Sequence, residues 1–323
     1  MVCILYIHIQ DVTAMNLSEL SKLNEDEARE TLERIRWTNG VVCPHCGRVD
    51  GHTKLQGKKH RKGVWKCNDG CAQQFSVTVG TVMEGSHLPI RTWLMAFSIL
   101  CSAKKGVSAL QLQRQLGLGS YRTAWHLCHR IRFAMSQNPL KGLLEGTVMV
   151  DETYVGGKPR QERGKKNSQG YRNPNKVAVV ALVERGGRVR SWPIADVTAA
   201  TLQGAIRDHV DPSAGIQTDQ LPSYKGVGKW FKGGHETVNH AKMEYARGDV
   251  STNEAESYFA LLKRGITGSF HSVSKQHLHR YCSEFSYRWN ERKTMDADRT
   301  AKALKLIEGK RLMYRDPIRN RAA

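Results

Sequence analysis

The chain of 323 residues sets 50 Lys and Arg against 30 Asp and Glu, a formal net charge of +20. That length accommodates two or three domains with separate cores, and the charge makes a polyanion, DNA or RNA first, the expected partner. No run approaches the ~20 consecutive apolar residues of a membrane-spanning helix. The apolar opening Met1–Gln10 lacks the basic leader and small-residue cleavage site of a secretory signal, so a cytoplasmic, nucleoid-associated protein with no membrane partner is expected.

Residues 17–37 carry apolar side chains at helical spacing and predict one or two short helices, with Ser18 and Asn24 as caps. Residues 39–80 lose that period and turn rich in Gly, Cys, His and Lys, which suits a small domain held by something other than an apolar core. A helix is expected from about Leu88 to Ala103, with Pro89 in its first turn. Between Val107 and Met135 two helices around the break at Gly117–Gly119 outline a helix-turn-helix. Its second helix carries Arg122, His126, His129, Arg130 and Arg132 toward phosphates or base edges; a purely structural helical pair fits the same pattern. From Gly146 the period becomes that of strands: GTVMVDETYV, KVAVVALVE and GRVRSWPIAD, the last two joined at Gly186-Gly187. Thr198 caps a helix running to about Val210, and GIQTD follows as a short strand, an order that specifies a mixed α/β domain. The predicted division is a helical segment (1–38), a metal-bound module (39–80), a helical DNA-binding segment (81–140), a catalytic α/β domain (141–295), and a closing helix with a basic tail (296–323).

Eight Cys without a secretion signal point to a reducing compartment, where clustered thiols bind metal. Cys43-Pro-His-Cys46 and Cys67-Asn-Asp-Gly-Cys71 enclose a segment expected to be a β-hairpin, close to the spacing of a four-Cys ribbon holding one structural Zn²⁺. His45 and His52 are the alternative ligands, and the scattered Cys3, Cys101, Cys128 and Cys282 are expected to be buried thiols. The hairpin run KLQGKKHRKGVWK presents Lys58, Lys59, Arg61 and Lys62; beside a ribbon on a basic chain, phosphate contact outweighs a merely solvated loop.

Three acids stand apart. Asp151 follows the apolar run Thr147–Val150 and so falls inside a sheet strand, a costly place for a lone carboxylate. Asp219 ends the strand GIQT, and Glu256 lies on a helix whose Ala255, Phe259, Leu262 and Ile266 form one apolar stripe. Lys263, seven residues after Glu256, shares its helical face, and with Arg264 offers positive charge to a phosphate. Glu254 and Glu152 face elsewhere and are weaker candidates. Taken singly, each acid is more often a strand-end cap or a surface carboxylate than a catalytic group. Converging, the three hold two Mg²⁺ or Mn²⁺ ions by hard oxygen ligands, for in-line displacement at a phosphate.

VDETYVGGK (150–158), TDQLPSY (218–224), the long segment beginning NEAESYFALLKRG (from 253) and FSVTVGTVMEGSHLPIRTW (75–93) resemble the insertion-sequence transposases of the ISXO type. The resemblance covers roughly residues 40–295. It implies an N-terminal zinc ribbon and a DDE catalytic domain of ribonuclease-H-like fold, a mixed sheet flanked by helices. Position by position it places the three catalytic acids on Asp151, Asp219 and Glu256, the last in an Asn-x-x-Glu pattern starting at Asn253. Lys158, which closes the first motif, joins the candidate DNA contacts. The sequence departs from the family pattern at Ser251, where a His is common, and at Glu254, where a smaller or polar residue is usual. The implied reaction is attack of water on a phosphodiester at the element's inverted-repeat end, then attack of the freed 3′-hydroxyl on target DNA, with no covalent enzyme intermediate. Two ends must meet, so at least a homodimer is expected. A catalytically inactive zinc-ribbon DNA-binding protein and a ribonuclease-H-like nuclease are the competing readings.

Overall fold

The computed structural model describes residues 16–136, 142–157, 176–238 and 246–315. The chain forms two compact units, one of Met1–Met135 with Lys293–Ala323 and one of Ser136–Arg292. The predicted closing helix therefore folds with the N-terminal unit.

Two capping boxes start the first unit. Asn16 and Glu19 close one over α1 (Leu17–Lys22), and Asn24 and Glu27 close the other over α2 (Glu25–Arg36). Each exchanges side-chain and backbone hydrogen bonds that satisfy orphan N–H groups at a helix start. The first cap is thus Asn16, with Ser18 already inside the helix. An antiparallel sheet follows, ordered β1 (His52–Lys54), β2 (Val64–Cys67) and β3 (Gln74–Ser76). Trp37 meets Trp65 and Phe75 edge-on, with ring centroids at 5.9 and 6.0 Å, which ties α2 to this sheet. The helix α3 (Ile90–Ser102) is apolar nearly all round and buries Trp93, Leu94, Phe97 and Leu100, as a central helix must. Ser108 and Ser120 cap α4 (Ala109–Gln115) and α5 (Tyr121–Ala134), the expected pair around the Gly117–Gly119 break. The closing helix (Asp296–Lys305) packs on α2 and α3. Just beyond it Glu308 accepts from Arg36 Nη2 at 3.2 Å and bridges to Thr81.

The second unit is built on strands β4 (Thr147–Val155), β5 (Val177–Glu184), β6 (Val189–Ile194), β7 (Gly215–Thr218) and β8 (His235–Thr237), with α6 (Ala199–His209) between β6 and β7. Their spatial order is β6-β5-β4-β7-β8. The pairs β6–β5 and β5–β4 are antiparallel, and β7 and β8 run parallel to β4. This is the ribonuclease-H-like mixed sheet that the resemblance implied. Both faces are covered, and the period of two along each strand sorts the side chains. Val148, Val150, Val180 and Leu182 pack under α6, with Leu202, Ile206 and Tyr224. Met149, Val179, Ala181 and Val183 pack under α7 (Asn253–Gly265) and α8 (Leu278–Asn290), with Tyr258, Phe259, Leu278 and Phe285. No helix among the described residues is long and apolar enough to cross a membrane.

Candidate functional site

Asp151 lies mid-strand on β4, opposite Ala181 of β5. On the other side β4 runs parallel to β7 in the register Val148↔Ile216 and Met149↔Gln217; continued for two more residues, that register sets Asp151 level with Asp219. Asp151 shares the sheet face of Met149, the face covered by the Glu256 helix α7. Burial, then repulsion from Glu152, Asp219 and Glu256, pushes the Asp151 carboxyl up to about 7, against the pull of the Glu152 N–H that it accepts at 2.8 Å. Asp219 and Glu256 therefore each lie within electrostatic reach of Asp151.

Glu152 does project from the opposite face, and there it accepts the Tyr224 hydroxyl at 2.7 Å. Burial raises its pKa, and Asp219 at the strand end acts on it too. Tyr224, 1 % exposed, has its own pKa raised by burial and by the charges of Glu152, Asp151 and Asp219, so it stays a hydrogen-bond donor. Sequence reasoning missed Tyr224, although it closes the TDQLPSY motif. Asp219 is held at its turn by the Leu221 N–H at 3.0 Å.

The placing of Glu256 rests on a set of polar contacts at the start of α7. Gln217, two residues before Asp219, accepts from Ser251 N and Arg185 Nη2 at 3.2 Å and donates to the Asp249 carbonyl at 3.3 Å. Arg185 also donates to that carbonyl. Glu254, the departure from the family pattern, accepts the Gly186 N–H of the β5–β6 turn. Ala255, Tyr258, Phe259 and Leu262 are buried, while Glu256, Lys263 and Arg264 are exposed. The charges of Glu152, Asp219 and Glu256 all act on the buried Asp151 carboxyl, a repulsion that a hard divalent cation would remove.

The ribbon supplies a tighter constellation. The sulfurs of Cys43, Cys46, Cys67 and Cys71 all lie within 4.8 Å of one another, the one such group of metal-ligand atoms among the described residues. Cys43 Sγ stands 3.7 Å from Cys71 Sγ, and Cys46 Sγ 3.8 Å from Cys67 Sγ. The N–H groups of Arg48 and then Cys71 pull the Cys46 thiol down to about 6, toward the thiolate that a metal requires. A Cβ at Gly70 would stand 2.9 Å from Cys67 Sγ and 3.0 Å from Cys46 Sγ, so the backbone there approaches as closely as only glycine allows. Four thiols in this cradle fit a structural zinc. His52 Nε2 is instead 3.0 Å from the Arg48 carbonyl, and His45 is exposed. Cys101, Cys128 and Cys282 are buried, as expected.

The basic residues divide. Lys58, Lys59, Arg61 and Lys62 are exposed on the β1–β2 connection, Lys62 with Asp26 at 2.6 Å. Of the basic residues on α5 only Arg122 is exposed; His129, Arg130 and Arg132 are buried, which corrects the expectation of an open basic recognition face. Arg130 Nη2 donates to the Glu84 carbonyl at 2.6 Å, and its guanidinium lies 4.9 Å from the Trp93 centroid. Its pKa is lowered to about 10, first by burial. Lys158 and Cys3 lie outside the described residues.

The five-stranded mixed sheet and the four-thiol ribbon stand in one chain, the combination that the resemblance implied. Residues 143–290 match the ISXO2-like transposase domain and residues 23–74 the transposase zinc-ribbon domain, so the chain carries both of these domains. It is 29 % identical over 276 residues, 82 % of this chain and 91 % of the relative, to an uncharacterized protein in transposable element ISH50 of Halobacterium salinarum. Among solved structures it is similar to a pre-cleavage Mos1 transpososome, at 14 % identity and a TM-score of 0.25 over 64 % of this chain and 76 % of that one. A Mos1 transposase paired-end complex with the left transposon end is matched at 15 % identity and a TM-score of 0.22, over 67 % and 80 % of the two chains.

Proposed function

We propose that this transposase cuts DNA at the ends of an insertion sequence and joins the freed strands to target DNA, with Asp151, Asp219 and Glu256 as its metal-holding acids. The observation that carries the reading is the crowded Asp151 carboxyl, pushed up to about 7 by burial and by acids on neighbouring elements. Two Mg²⁺ or Mn²⁺ ions bound by these acids would neutralise phosphate charge, activate the attacking oxygen and stabilise the leaving one.

The chain's own residues hold and orient. Tyr224 fixes Glu152 beside the site, and the contacts of Gln217 and Glu254 place the Glu256 helix. Lys263 and Arg264 neutralise DNA phosphates near that helix, and Lys58, Lys59, Arg61 and Lys62 do the same on the ribbon. In the first step a water oxygen bonds to phosphorus as the bond to the 3′-oxygen breaks, leaving a 3′-hydroxyl and a 5′-phosphate. That hydroxyl then attacks a target phosphodiester and releases a target 3′-hydroxyl, so one P–O bond forms for each one broken. Uniting two ends requires at least a homodimer on DNA, and the working place is the nucleoid.

The test incubates the full chain with Mg²⁺ and labelled DNA bearing the element's terminal repeats beside a target plasmid. A covalently joined product is expected. Cleavage without joining would make the chain a nuclease, and retention of DNA without cleavage would leave only a binding protein.

A further inference from the structure

The helical face that bears Arg122, His126 and Arg130 does not lie open: it borders a cavity of about 540 Å³ within the N-terminal unit. Residues 84–88 and Trp93 form a second wall, and residues 311–314 a third. This volume falls among the clefts that hold small molecules, and its lining joins two chemistries.

The first is cationic. Arg122 and Arg311 are exposed at its edge, while Arg130, 5 % exposed, is buried behind them with its Nε lacking a hydrogen-bond partner among the described residues. The acid in the lining, Glu84, is already committed: one oxygen accepts the Gly80 N–H at 2.8 Å, and the other stands 3.1 Å from Arg311 Nη1. A guanidinium has five donors, so Arg311 keeps capacity for an anion. The second chemistry is aromatic and aliphatic. Tyr314 carries Arg122 over its ring at 5.9 Å and meets His126 edge-on at 5.4 Å, and Leu88, Leu127 and Leu312 line the cavity with it.

An inorganic anion would need the cations alone, and an apolar ligand would have no use for three arginines. A flat ring attached to a phosphate uses both, as bases do when they stack on aromatic side chains and arginine planes. We propose that this cavity receives one unstacked nucleotide of a DNA strand, its ring against Tyr314 and the leucines and its phosphate on Arg122 and Arg311. The proposal rests on the reading of the chain as acting on DNA and adds a step to it: recognition of a strand locally freed from its partner.

The test compares binding of the full chain to a duplex and to the same duplex with a three-nucleotide single-stranded extension bearing one 5-iododeoxyuridine. The extension is expected to tighten binding roughly tenfold, the scale of one stacked base. Irradiation should crosslink the iodinated base to the peptides containing Trp93 or Tyr314. Tyr314→Ala should abolish the gain and Tyr314→Phe should keep it, with unchanged melting temperatures. Equal binding of the two DNAs, or crosslinks only elsewhere, overturns the proposal while leaving DNA binding intact. Loss of all binding, duplex included, overturns the functional reading with it. Crosslinking suppressed by low-millimolar thymidine monophosphate, with no gain from the extension, assigns the cavity to a free nucleotide and also overturns it.

Discussion

Glu254 grips the Gly186 N–H with both carboxylate oxygens, at 2.9 and 3.0 Å, and so pins the first turn of α7 to the β5–β6 turn. Glu256 sits two residues further along that helix. Glu254→Ala should slow DNA cleavage about five- to tenfold, near the ~1 kcal/mol typical of one hydrogen bond, with DNA affinity unaltered. Glu254→Gln, which can still accept, should recover most of the rate. Equal rates for Ala and wild type would show that the grip does not place Glu256.

Asp151→Asn removes a proposed metal ligand while leaving every basic residue in place. Cleavage should fall by more than about 100-fold, the upper range for losing even an outer-shell partner of a metal, and DNA retention should persist in gel-shift assays. Loss of retention in a protein that still melts cooperatively would contradict the assigned role.

The raised Asp151 pKa also makes stability depend on pH. Its carboxyl titrates near 7 in the fold and near 4 in an unfolded chain. The folded state therefore holds the extra proton between those values, and the penalty for ionising it grows as pH rises from about 4 to about 7. Glu152, raised by burial, adds in the same sense. Chelator-treated protein should melt higher at pH 6 than at pH 8, and Mg²⁺ should restore more at pH 8, where its ligands are ionised. The Asp151→Asn protein should lack most of this difference; a wild type that behaves like it would refute the shift.

Gly70→Ala tests the thiol cradle without touching a ligand. The added methyl would stand 2.9 and 3.0 Å from two sulfurs, so zinc should leave to a chelator at least tenfold faster, within the 10–100-fold range for disturbing the surroundings of a metal. Cys43→Ser should lose the metal and unfold the ribbon outright. Unchanged zinc release from the alanine variant would show that the backbone can yield.

Lys263→Ala should weaken DNA binding and lower the slope of log affinity against log salt by about 0.9, the contribution of one phosphate contact. A slope equal to that of wild type would remove Lys263 from the interface.

Much of this architecture was legible because periodicity and spacing are local signals. The strands β4, β5 and β6 announced themselves by apolar runs, and Cys43, Cys46, Cys67 and Cys71 by their separations. Asp151 was conspicuous as a carboxylate within an apolar strand, and its burial now shows in its pKa. Other features depend on distant parts of the chain. The three-residue β8, His-Glu-Thr, has no apolar alternation and exists through its pairing with β7. The burial of Arg130 could not be read from the helix that carries it, because its carbonyl partner is at Glu84 and the cavity beside it is bounded by residues 311–314. Tyr224 looked like one polar residue of a turn until its hydroxyl met Glu152 across seventy-two positions.

The return of residues after Lys293 to the N-terminal unit sets an order of assembly on the ribosome. The ribonuclease-H-like unit is one uninterrupted stretch and can fold once Arg292 has emerged, whereas the unit carrying the ribbon must wait for the closing helix that packs on α2 and α3. A nascent chain thus completes the unit that carries Asp151, Asp219 and Glu256 before the one that carries the four thiols. A transcript stopped early would yield a polypeptide whose opening unit lacks its last helix and is therefore vulnerable to proteolysis.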